Sequence, residues 1–109
     1  MYEPATVDEH QLRRGLAAGE LIAIMTMSEA AFASAHIPGS VALTSVSQAK
    51  AHYAQDAPLV VYCTDLACRA SLTAFRQLVD AGFTNVRHYP GGLSDWTAAG
   101  YPIEGTQQE

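Results

Sequence analysis

Residues 58–82 read "PLVVYCTDLACRASLTAFRQLVDAG". The run from Pro58 to Tyr62 is continuous, β-branched and aromatic, which predicts a strand of a parallel sheet buried on both faces. From Ala70 to Ala81 the apolar residues Leu72, Phe75, Leu78 and Val79 recur at helical spacing, and Gly82 stops the pattern. Between the two lies a loop from Cys63 to Arg69 that holds both cysteines of the chain. A strand, a short loop and a helix in this order are half of a βαβ unit.

The flanking sequence repeats that alternation. "TVDEHQLRRGLAAG" (6–19) predicts a helix capped by Thr6 or Asp8 and ended by Gly19. Leu21 to Met25 is a short strand. Ser28 and Glu29 open a brief helix through Phe32, and Pro38-Gly39 marks a turn. Val41 to Leu43 is a second strand. A weak helix capped by Ser45 or Ser47 runs to about Tyr53. "NVRHY" (85–89) is the last strand, "PGG" (90–92) a turn, and Leu93 to Ala99 a final helix with Trp96 in the core. The expected fold is α/β: one domain over residues 1–109, with a mostly parallel sheet and helices on both faces.

Bulk properties narrow the function. At 109 residues, 49% of them hydrophobic and 16% charged, the chain is long enough for one real core. A net charge of −5, a pI near 5.2 and no basic run argue against a nucleic-acid partner. The first residues lack a basic and apolar leader, and the longest aliphatic runs are too short to span a membrane. The expected setting is therefore cytoplasmic, with reduced cysteines. No nucleotide cofactor is expected, because the glycines after Pro90 lack a phosphate-loop pattern.

In parallel α/β sheets ligands bind at the carboxyl ends of the strands, and Cys63 falls at such an end. The loop that follows closes over a helix N-terminus, whose unpaired N–H groups and positive dipole end favour a thiolate and a bound oxyanion. Arg69 adds a permanent cation with a planar fork suited to tetrahedral oxyanions. Cys63 is the candidate nucleophile. Thr64, Asp65, Leu66, Ala67, Cys68 and Arg69 are the candidate binding loop. Asp65 opposes an anionic substrate unless it faces solvent. Cys68 is either a buried filler or a second redox thiol.

With these residues in place, the chain resembles the rhodanese-like domains, a sulfurtransferase family. "EAAFASAHIPGSV" (29–41) is similar to the family's E-x-F-x-x-G-H-I-P-G-A stretch. "PLVVYC" matches the strand that leads to the catalytic cysteine, and "LVDAGFTNVRHYPGGLSDWTAAGYPIE" (78–104) matches the C-terminal third. The resemblance implies a persulfide on Cys63, a small anionic sulfur donor such as thiosulfate, and a thiol or cyanide acceptor, with no cofactor. It also assigns His36 to a turn that packs on the sheet.

Three departures from the family pattern stand out. Met25 and Met27 fall where an Asp and an Arg are usual. Ala35-His36 replaces Gly-His. The loop from Cys63 to Arg69 is a seven-residue C-x5-R instead of the usual six, resembling the related phosphatases and arsenate reductases, although Tyr62 stands where those phosphatases carry His. The alternatives are therefore a C-x5-R phosphatase or arsenate reductase, and a low-activity sulfur-carrier or binding module. A Cu(I) site built from Met25, Met27, Cys63 and Cys68 is a weaker reading than a repacked core.

Overall fold

The computed structural model describes residues 6–25, 33, 35–42, 46–63 and 70–105. Four strands form one sheet: β1 (Ile22–Met25), β2 (Val41–Ala42), β3 (Leu59–Tyr62) and β4 (Val86–Tyr89), in the order β2-β1-β3-β4. All strand pairs among the described residues are parallel, in line with the expected mostly parallel sheet. Among the described residues four helices accompany it: α1 (Glu9–Ala18), α2 (Val46–His52), α3 (Ala70–Asp80) and α4 (Gly92–Ala98).

Residue alternation along the strands divides the core into two halves. Val60 and Tyr62 of β3, with Ala23 and Met25 of β1 and Tyr89 of β4, pack against Leu12 of α1 and Leu93 and Trp96 of α4. Leu59 and Val61, with Ile24 and Val86, pack against Ala49 of α2 and Phe75 and Leu78 of α3. Every residue of β3 is fully buried, as expected of a central strand covered on both faces. Met25 is likewise fully buried among apolar neighbours, which makes it core; Met27 lies outside the described residues.

Local chemistry explains the element ends. Between Thr6 and Asp8, the cap of α1 is Asp8: its carboxylate accepts the Gln11 N–H at 2.7 Å, and the Gln11 side-chain oxygen accepts the Asp8 N–H at 2.9 Å. This reciprocal pair satisfies two otherwise orphaned donors. Thr6 instead forms a parallel bridge to His88 on the outer edge of β4. Gly19 ends α1 at φ 73°, a left-handed conformation that suits glycine. Ser47 lies inside α2 and does not cap it. Leu43, Ser45 and the expected helix from Ser28 to Phe32 lie outside the described residues.

The strand order creates a switch point. From β1 the chain crosses to β2 on one side, then returns to place β3 and β4 on the other. The carboxyl ends of β1 and β3 therefore flank the crevice in which parallel sheets bind ligands. No helix among the described residues is long and apolar enough to cross a membrane.

Candidate active site

Cys63 directly follows β3, at the carboxyl end of the sheet and beside the switch point. It is 1% exposed. Seven positions later α3 begins at Ala70, so its positive N-terminal end faces the same side of the sheet. Thr64, Asp65, Leu66, Ala67, Cys68 and Arg69, the expected binding loop, lie outside the described residues.

Cys63 is disulfide-bonded. The expectation of a reduced thiol is corrected at this residue; the chain's other cysteine is Cys68, five positions on.

Two neighbouring turns hold the strand end in place. The Cys63 carbonyl accepts the Leu93 N–H at 3.1 Å, which ties the strand end to the Pro90-Gly91-Gly92 turn. That turn needs Gly92, whose φ is 61°. On the other side, the hydroxyl of Tyr62 accepts the Ile37 N–H at 3.1 Å and lies 2.8 Å from Ser40 Oγ. Ser40 Oγ in turn donates to the Ile37 carbonyl at 2.6 Å. The residue preceding Cys63 is thus bonded to the His36–Ser40 turn. Burial raises the Tyr62 pKa above its ordinary value, partly offset by the bonds to Ser40 and Ile37, so the hydroxyl stays protonated near neutrality.

His36 has a structural setting, as the sequence implied. Its backbone pairs with Glu104 in both directions, at 2.8 and 2.9 Å, and its Nε2 lies 3.3 Å from the Glu104 carboxylate. Trp96 is core, with its indole N–H donated to the Pro102 carbonyl at 2.7 Å. Alternation along β4 separates the two polar residues there. His88 is buried on the α2–α3 side, and burial lowers its pKa. Arg87 is exposed and lines a cavity with Pro58 and Asn85, at the amino end of the sheet, away from Cys63. Among the described residues no group of three or more His, Cys, Asp or Glu is placed to hold a metal ion.

Sequence reasoning missed the role of Tyr62. The usable signal was its position in a strand buried on both faces, because a buried phenol needs a hydrogen-bond partner. It also missed an acidic cavity around Tyr89, where Asp8, Glu9 and Asp95 gather.

Comparison with known proteins bears directly on this geometry. The profile of the rhodanese-like domain matches residues 8–99. The solution structure of the rhodanese-like domain of an Anabaena protein superposes with a TM-score of 0.84 at 28% identity, over 97% of this chain and 82% of that one. A thiosulfate sulfurtransferase from Pseudomonas aeruginosa is similar at 27% identity and a TM-score of 0.79, over 93% of this chain but only 20% of that one. A human single-domain sulfurtransferase shares the fold, with a TM-score of 0.76, 22% identity, and coverage of 88% and 97%. Among curated proteins none matches the chain in sequence.

Proposed function

Because this chain belongs to the family of rhodanese-like domains, we propose that it is a sulfurtransferase that carries sulfane sulfur as a persulfide on Cys63. The observation that carries this reading is the position of Cys63. It stands at the carboxyl end of the central strand, at the switch point, ahead of the first turn of α3. There the helix dipole and its unpaired N–H groups favour thiolate over thiol.

In the first step the Cys63 thiolate attacks the outer sulfur of a thiosulfate-like donor. The donor's S–S bond breaks, sulfite leaves with the bonding pair, and a Cys63 persulfide remains. The loop amides from Thr64 to Cys68 and the Arg69 guanidinium hold the anionic oxygens. In the second step a thiolate or cyanide takes the outer sulfur and the Cys63 thiolate is regenerated. Buried Cys63 must be reduced before either step, so the disulfide form is a resting or product state.

Cys68 supplies an exit when no external acceptor is present. Its thiolate attacks the inner sulfur, hydrosulfide leaves, and a Cys63–Cys68 disulfide forms, which an external dithiol reopens. A name of thiosulfate sulfurtransferase for one relative supports the donor class.

The test is intact-protein mass spectrometry of the reduced, desalted chain after thiosulfate, beside Cys63→Ser and Cys68→Ser. The expected result is a gain of one sulfur atom that Cys63→Ser alone abolishes. No gain in a folded, reduced protein would overturn the reading; turnover of an aryl phosphate or arsenate would then assign the C-x5-R loop to that chemistry, and its absence would leave a binding module.

A further inference from the structure

A cavity of about 350 Å³ opens at the carboxyl end of β4, between the start of α1 and the turn into α4. Asp8, Glu9 and Asp95 line it together with Tyr89, and among the described residues no Lys, Arg or His does. The Asp8 carboxylate is engaged in capping α1. Glu9 and Asp95 make no ion pair among the described residues. Asp95 folds back over Gly91, where a Cβ would collide with its carboxylate, so the glycine lets that charge sit at the cavity wall.

Tyr89 provides the second, independent observation. It is 1% exposed, and its buried hydroxyl has no hydrogen-bond partner among the described residues. Buried hydroxyls nearly always have one, so an orphan on a residue that lines a cavity marks the place of a missing partner. A phenol both donates and accepts, so it can give its proton to a carboxylate and receive an N–H from a ligand. Burial and then the charges of Glu9, Asp95 and Asp8 raise its pKa, which places the hydroxyl within the field of the same carboxylates and keeps it neutral.

We propose that this cavity is a subsite for an organic cation, a primary ammonium or guanidinium group, held by the Glu9 and Asp95 carboxylates with one N–H donated to the Tyr89 hydroxyl. A metal ion fits less well, since no described group of three ligating side chains converges. An anion is excluded by the charge of the walls. The subsite adjoins the crevice: Tyr89 pairs in register with Tyr62, and the turn after it bonds the Cys63 carbonyl. Its existence does not depend on sulfur transfer.

The test is an NMR titration of the reduced protein with ethylguanidinium and n-butylammonium, at constant ionic strength set with tetramethylammonium, which has no N–H to donate. Saturable shifts confined to residues 8–9, 89–91 and 95 are expected. Tyr89→Phe and Asp95→Asn, each with wild-type spectral dispersion, are expected to weaken binding about tenfold, as for loss of a charge-assisted hydrogen bond. A blocked Gly-Arg-Gly peptide separates the sources: shifts with it match a protein side chain as occupant, and shifts with the free cations alone match a small molecule. No saturable shift with any probe, or unchanged affinity in both variants, would overturn the proposal.

Discussion

The Tyr62 hydroxyl lies 2.8 Å from Ser40 Oγ and accepts the Ile37 N–H, so a single phenol links the residue preceding Cys63 to the turn across the crevice. Tyr62→Phe leaves the Ile37 N–H and the Ser40 hydroxyl short of a buried partner. The expected cost is about 1–3 kcal/mol in urea unfolding. Ser40→Ala is expected to cost less, and the double variant less than the sum, because the residues share one network. Strict additivity would sink the idea of a coupled network.

Alkaline unfolding provides a second prediction. Tyr62 and Tyr89 both have folded pKa values raised above the ordinary 10.0. A raised folded pKa contributes stability that is full below pH 10 and lost as pH rises through the folded value. The phenolate absorbance of these two tyrosines should therefore appear together with loss of near-ultraviolet circular dichroism. If Tyr62→Phe and Tyr89→Phe each leave that late absorbance step unchanged, the assignment is wrong.

The opposite sign holds for His88. Burial lowers its pKa below 6.5, so the imidazole is neutral in the folded protein while the unfolded chain takes up a proton near 6.5. Its contribution is present above that value and lost as pH falls toward the lowered one. Melting temperatures at pH 7.5 and 5.5 should differ less in His88→Gln than in the wild type. Equal differences in the two proteins would refute this.

Gly92 connects conformation to chemistry. At φ 61°, an alanine is strained by about 1–2 kcal/mol, and the neighbouring Leu93 amide is the one that bonds the Cys63 carbonyl. Gly92→Ala should lower thermal stability by about that amount and slow persulfide formation on Cys63, read by mass spectrometry at fixed times. Unchanged rates in a destabilised protein would confine the glycine to a folding role.

The parts of this fold legible in the sequence were those written locally. The 59–62 run and the 3.6-residue period after Ala70 each carry their own periodicity, and α1 has a capping residue, an acidic first turn and a closing glycine in one stretch. Its cap was ambiguous from composition alone, because Thr6 and Asp8 are both good cap residues and the reciprocal bond with Gln11 decides between them. Cys63 could be singled out because strand, loop and helix are contiguous around it. The Tyr62 network could not, since its partners lie 22 and 25 positions away. The acidic cavity was equally hidden: Glu9 and Asp95 come from opposite ends of the chain and meet where residues 6 and 7, just ahead of α1, bond to His88 of β4.

The bridge from Thr6 to His88 also determines how this domain meets copies of itself. Residues 6 and 7 cover part of the outer side of β4, with the Val7 N–H bonded to the His88 carbonyl at 3.0 Å. A strand edge that is covered makes a poor template for another chain's backbone. The domain can therefore be concentrated, or fused in tandem, with the β4 edge guarded against pairing, and a truncation that removes residues 6 and 7 would uncover that edge.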